Sequence, residues 1–247
     1  MNKPNESRKV SIITASYNNI STIQDTIKSV LCQTYSCIEY IIIDGLSTDG
    51  TLDLILENEN EFKSKLDTFK LISEKDNGIA DAWNKGLKLA TGDFVFFLNS
   101  DDWIDKDTVE NAVKLLNPNK LEMVYGVCNR VNHEKVSLGS YQKTFNKYKV
   151  IWNFGFSFTT CFFTKKTYDK LGGFNTNYKI AIDSDFLLRC IQNGVKFKKS
   201  NHLTYMRMGG VSTKFRMEAH KEYKKALINN GYPKVLVSLS YLFFKFT

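Results

Sequence analysis

Two short stretches constrain this chain most: IEYIII at 38–43 and FVFFL at 94–98 are almost wholly apolar, and polar residues break each one off at once. Runs this short and β-branched or aromatic suit strands covered on both faces, as in a parallel sheet with helices above and below. Residues 10–15 (VSIITA) and 69–72 read as two more strands. Between them lie helical patterns at 21–33, 51–59 and 79–90, the first with Ser21 as N-cap and Ile23, Ile27, Val30 and Leu31 at helical spacing. Strand and helix in alternation imply an α/β fold with a mostly parallel sheet flanked by helices.

Such sheets bind ligands beyond the carboxyl ends of their strands, so polar residues should follow each strand directly. They do: Ser16-Tyr17-Asn18, Asp44-Gly45, Glu74-Lys75-Asp76 and Asn99-Ser100-Asp101-Asp102. Each cluster alone also suits a turn or a helix cap. Their convergence on one edge favours a ligand site. Asp101 and Asp102 repel one another after a buried strand, a cost that a hard cation such as Mg²⁺ or Mn²⁺ would offset. The competing reading makes them the N-cap of a helix starting near Asp105.

The second half is less regular. Strands are expected at 123–130 and 159–164, helices at 166–171, 183–193 and 215–230, and a loop-rich acceptor region at 139–156. Of the net charge of +8, residues 196–247 carry +9, from eleven Lys and Arg against Glu218 and Glu222. This basic end fits an anionic partner, a phosphate-rich ligand or a membrane surface, or is simply a solvated face. The apolar tail YPKVLVSLSYLFFKFT falls short of the ~20 residues that span a bilayer; lying in a membrane interface and packing on the protein itself are both open to it.

Several classes are excluded. No GxGxxG, GxxxxGK[ST] or GxSxG occurs, the three histidines are scattered, and the five cysteines form no CxxC pair. Nucleic acid is not expected, since no aromatic RNA-binding motif or helix-turn-helix pattern accompanies the charge. Residues 1–9 hold no apolar signal segment, and free thiols suit a reducing compartment, so the expected location is cytoplasmic, peripheral to the inner membrane face if the tail binds lipid.

The stretch SIITASYNNISTIQDTIKSVLCQTY, IEYIIIDGLSTDGT and ISEKDNGIADAWNKGLKLATGDFVFFLNSDDW resembles the family 2 glycosyltransferases of GT-A fold, densely over 10–103 and more weakly to about 212. The resemblance implies an N-terminal extension at 1–9, a nucleotide-sugar donor half at 10–103, an acceptor and catalytic-base half at 104–214, and a basic helical tail at 215–247. It places Thr14, Ala15 and Tyr17 at the nucleotide base, Asp44 as the aspartate that hydrogen-bonds that base, commonly uracil, and Asp76 as a further donor-site aspartate. Asp101 falls near the ribose, Asp102 on a Mg²⁺ or Mn²⁺ ion, and Asp183 in AIDSDFLLR at the catalytic base. Asp183 also reads as an ordinary first-turn helix residue, with Asp185 as its competitor. Asn99, Ile182 and Met208 depart from residues common in the family. Lys214 and Arg216, after Gly209-Gly210, suit a loop closing on the diphosphate. The implied activity is inverting transfer from a UDP-sugar or similar donor to a glycan or lipid-linked glycan in surface polysaccharide assembly. The rivals are a nucleotidyltransferase and a non-catalytic binder of anionic ligands.

Overall fold

In a computed structural model, residues 8–210 and 214–245 are described, with side chains to Ser240. The first half alternates as read: β1 (Val10–Ser16), α1 (Ile23–Leu31), β2 (Ile38–Asp44), α2 (Thr51–Glu57), α3 (Glu59–Lys65), β3 (Thr68–Ser73), α4 (Ile79–Leu89) and β4 (Phe94–Phe97). These four strands pair in parallel, in the order β3-β2-β1-β4. Alternate side chains enter opposite cores: Ile13, Ile41, Ile43 and Phe97 on one face, Ile12, Tyr40, Ile42 and Phe96 on the other. Burial on both faces is the reason these strands are continuous in apolar residues. α4 lies close on β1, where a Cβ on Gly86 would come within 2.4 Å of the Ile13 side chain.

The sheet then turns mixed. β5 (Trp103–Ile104), α5 (Thr108–Val113), β6 (Glu122–Val131), β7 (Ser137–Tyr141), β8 (Phe162–Thr164), α6 (Lys165–Leu171), α7 (Ile182–Gln192) and β9 (Lys196–Arg207) follow in sequence. β8 pairs antiparallel with both β4 and β6, β9 runs parallel to β6, and β5 closes the far edge. The C-terminal helices are α8 (Arg216–Asn229) and α9 (Lys234–Lys245). Ala226, Leu227 and Val237 enter the same core as Phe97 and Phe186, while Val235, Leu236 and Leu239 stay exposed. Among the described residues no helix is long and apolar enough to cross a membrane.

Several expectations change in detail. α1 starts at Ile23 with Thr22 rather than Ser21 at the N-cap, and the helix expected over 51–59 breaks at Asn58 into α2 and α3. α5 begins at Thr108 with Asp107 at its N-cap, so Asp101 and Asp102 cap no helix there. The twelve-residue β9 was unforeseen because Lys196, Lys198 and Lys199 give its first half a loop-like composition. The stretch 139–156 is indeed poor in regular structure past β7, yet Val150, Phe154 and Phe156 are buried in the main core.

Candidate active site at the strand ends

Equal register along β1, β2 and β3 sets Ser16 beside Asp44 and Asp44 beside Ser73. Asp44 is closed off from water, and its carboxylate accepts from Ser73 Oγ at 2.6 Å, Ser47 Oγ at 2.5 Å and the Ser47 amide at 3.1 Å. The first job of this aspartate is therefore to fold the turn after β2. Leu46 in that turn and Asn18 after β1 both take left-handed backbone (φ 62° and 51°), uncommon for a leucine and typical of functional turns. Thr14 also points inward, its hydroxyl accepting from Tyr40 at 3.2 Å. Tyr17, by contrast, is 61% exposed. Gly45 lies between Tyr17 and Asp76: a Cβ there would come within 2.7 Å of Asp76 Oδ2 and 3.3 Å of the tyrosine ring. Asp76 also accepts from the Gly78 amide at 2.8 Å, which shapes the entry to α4. Ala15 is half-buried beside this group.

Hydrogen bonds run from this group to the acidic pair. The Asn18 amide donates to Ser47 Oγ (2.9 Å), the Thr48 amide to Asn18 (2.9 Å), and Ser100 Oγ to Asn19 (3.0 Å). Thr22 and Thr26 of the α1 region donate to the carbonyls of Ser100 and Asp102, at 3.1 and 2.7 Å. The loop after β1 and the turn after β4 are thus one hydrogen-bonded unit.

Asp102 is 1% exposed and accepts from Asn99 Nδ2 at 3.0 Å and from the Arg207 amide at 2.9 Å. Burial, then the neighbouring Asp101, hold its carboxyl well above the usual carboxylate range. Burial raises Asp101 too, against the pull of Arg207 and His133. The Arg207 guanidinium donates to the Asp101 carbonyl (2.9 Å) and to Asp25 (3.0 Å) and lies over Trp103 at 5.1 Å. Lys135 also pairs with Asp25, at 2.7 Å. Two adjacent carboxylates that resist ionisation, Asp102 buried and Asp101 half-buried, fit a divalent cation, whose charge would favour their ionised forms. Among the described residues no group of three or more His, Cys, Asp or Glu is gathered for a metal, so water or substrate oxygens would have to complete the coordination.

Asp183 stands in the first turn of α7, partly open to solvent. It accepts from the Ser184 amide and hydroxyl, at 2.6 and 3.2 Å, and burial lifts its carboxyl above the ordinary value despite them. Asp185, its competitor, is committed elsewhere. Its two oxygens take Arg189 Nε at 3.0 Å and Asn230 Nδ2 at 3.1 Å, and Arg189 goes on to the carbonyls of Leu171 and Gly173. Lys214 and Arg216 are exposed at the start of α8, while 211–213 lie outside the described residues. An open cleft of about 850 Å³, lined by residues that include Asn84, Tyr168, Asp185 and Arg189, contains none of the strand-end residues read from sequence and, of the two candidates for the base, Asp185 but not Asp183.

Arg207, Asp25 and Asn19 were missed in the sequence. Asn19 and Arg207 meet the acidic turn from distant parts of the chain, Asp25 meets Arg207, and no local pattern marks any of them.

The family description "Glycosyl transferase family 2" matches residues 11–187, and the chain belongs to that family. It is a glycosyltransferase. A "PGL/p-HBAD biosynthesis glycosyltransferase" of Mycobacterium tuberculosis is 27% identical over 224 residues, covering 88% of this chain and 83% of the relative. The Escherichia coli "UDP-Glc:alpha-D-GlcNAc-diphosphoundecaprenol beta-1,3-glucosyltransferase WfaP" is 39% identical over 119 residues, 47% of this chain and 44% of its own length. Among solved structures, the Pyrobaculum calidifontis mannosyltransferase PcManGT, in complex with GDP-Man and Mn²⁺, aligns with a TM-score of 0.69 at 20% identity, over 94% of this chain and 68% of that one. Staphylococcus aureus TarS 1–349, in complex with UDP-GlcNAc, gives 0.66 at 19% identity, over 94% and 70%. These likenesses establish the GT-A fold.

Proposed function

We propose that this glycosyltransferase moves a sugar from a nucleoside diphosphate donor, a UDP-sugar, to a hydroxyl of a glycan or lipid-linked glycan in cell-surface polysaccharide assembly. The observation that supports the reading is the Asp101-Asp102 turn after β4, with Asp102 buried, hydrogen-bonded as one unit to the loop after β1 that presents Tyr17. The exposed Tyr17 ring offers a face for a nucleotide base, and Gly45, having no side chain, lets Asp76 and that ring pack close against the turn after β2. Asp44 keeps the turn in shape. Asp101 faces the ribose, and Asp102 with Asp101 would hold Mg²⁺ or Mn²⁺, whose charge lowers the cost of a departing diphosphate. Lys214 and Arg216 add positive charge toward the same group.

On the acceptor side, the Asp183 carboxylate takes the proton of the acceptor hydroxyl as its oxygen bonds to the anomeric carbon. The bond from that carbon to the diphosphate oxygen breaks on the opposite face, the electron pair leaves with the diphosphate, and the anomeric configuration inverts. A raised carboxyl suits a base, since its proton affinity lies closer to working pH. The UDP-Glc and diphosphoundecaprenol in the name of the E. coli relative support the donor and acceptor classes. The exposed Val235, Leu236 and Leu239 beside a basic C-terminal region support contact with the inner membrane face, where such acceptors reside.

The test is UDP release from UDP-glucose and UDP-GlcNAc with Mn²⁺ present. Asp183→Asn should lower turnover roughly 10²- to 10⁴-fold while UDP affinity is kept. Turnover retained in that variant would remove Asp183 from the base role.

A further inference from the structure

α7 begins without a capping side chain of its own, because Ala181 occupies its N-cap. Just ahead of its first turn, Glu222 of α8 accepts from three consecutive amides, Lys179 (3.0 Å), Ile180 (2.7 Å) and the N-cap Ala181 (3.0 Å). Asp183 is two residues beyond the last of them. We propose that Glu222 is a positioning residue for the acceptor side, fixing the first turn of α7 and with it the Asp183 carboxylate. This rests on the reading of Asp183 as the base.

The geometry gives the clamp more than a stabilising role. A carboxylate receiving several backbone amides forms charge-assisted bonds, and its charge sits at the positive end of the helix. Burial would raise its carboxyl, but the amides of Ala181, Ile180 and Lys179 outweigh this and hold Glu222 ionised below the usual range. The other ties between α8 and its neighbours lie elsewhere. Asn230 meets Asp185, Gln192 meets the Asn230 carbonyl, Asn229 meets Tyr178, and Tyr223 meets the Val150 carbonyl. Of these ties, Asn229 holds the Tyr178 side chain at the start of the segment leading into Asp183, and Glu222 holds the backbone amides that follow it. Removing it leaves α8 anchored along the rest of its length while freeing the turn that aims the base. Errors of about 1 Å in such aim cost roughly a hundredfold in rate. Residues 215–230 thus belong functionally to the acceptor half, with α8 as the brace of its catalytic turn.

The experiment is a double-mutant cycle on donor turnover, read as UDP release with Mn²⁺, combining Glu222→Gln with Asp183→Asn. UDP affinity and amide exchange at 179–181 are measured on each protein. Glu222→Gln should lower kcat roughly tenfold or more, with UDP affinity unchanged and faster exchange at 179–181, and should have no further effect once Asp183 is Asn. Glu222→Asp, which keeps the charge on a shorter arm, should fall between wild type and Glu222→Gln. Unchanged kcat in Glu222→Gln, or an equal loss of kcat in the Asp183→Asn background, would overturn the positioning role. A parallel loss of UDP affinity and folding stability would reduce Glu222 to a structural cap. Full turnover in Asp183→Asn alone would instead remove the base reading, and the two failures are told apart.

Discussion

Acidification should loosen the strand that delivers Arg207 to the acidic turn, through a single histidine. His202 on β9 is 1% exposed, and its Nε2 lies 2.7 Å from the Thr160 carbonyl. Since that contact requires a proton on Nε2, Nδ1 is the nitrogen left to titrate, and it is buried with no hydrogen-bond partner among the described residues. A Cβ on Gly126 would come within 2.4 Å of the ring, so the seat is tight. Burial pulls the imidazole from 6.5 down to about 4, against smaller opposing effects of Thr160 and Asp107. The unfolded chain therefore takes up the proton first, and stability present at neutral pH is lost as pH falls from 6.5 toward 4. A separation of about 2.5 units is worth at most about 3.4 kcal/mol, of which about 2.5 kcal/mol should be lost between pH 7 and pH 4.5. The assay is urea unfolding at both pH values for wild type and His202→Gln, which can still donate to Thr160 but does not titrate. The wild type should lose about 2.5 kcal/mol more than the variant. Equal losses, or a variant more sensitive to acid than wild type, would refute the assignment of this proton to His202.

Two further changes probe what supports the site. Glu39 lies near the start of β2, closed off from water, where it accepts from Ser11 Oγ at 2.6 Å and the Thr91 amide at 2.7 Å and pairs with Lys70 at 2.6 Å. Glu39→Ala strands those partners and should cost about 3 kcal/mol in urea unfolding, the low end for a broken buried pair because Lys70 is partly exposed; a loss under about 1 kcal/mol would contradict the network. Gly92 sits against β1, where a Cβ would lie 2.7 Å from the Ser11 amide nitrogen and 2.8 Å from the Lys9 carbonyl. Gly92→Ala should therefore cost about 2 kcal/mol, and an unchanged thermal midpoint would show that the backbone there can yield.

The parallel half was legible because burial on both faces leaves a continuous apolar mark, and the carboxyl-end rule then points to the residues that follow. Tyr17, Asp76, Asp101 and Asp102 come to that edge as read. Asp44 was legible in place but not in its surroundings: the serines that enclose it are a turn residue and a strand-end residue, neutral in any pattern. Glu39 was hidden inside IEYIII, where one acid among apolar residues gives no sign of its three partners. Asp183 and Asp185 could not be separated by sequence, because the difference lies in Arg189 and Asn230 occupying one carboxylate and not the other. Arg207 and Glu222 were illegible for the same reason: each acts across more than forty residues of chain, on a backbone amide or carbonyl that has no sequence identity to recognise.

Calorimetric titration of UDP tests the proposed cation-assisted nucleotide site at Asp101 and Asp102 most directly. Wild type and Asp102→Asn are each titrated with and without Mn²⁺. Wild type should bind UDP more tightly with Mn²⁺ than without it. Asp102→Asn, folded and buried at the same position, should lose that increment, roughly tenfold or more in affinity. A wild type indifferent to Mn²⁺, or a variant that keeps the full Mn²⁺-dependent gain, would contradict the assignment of this carboxylate pair.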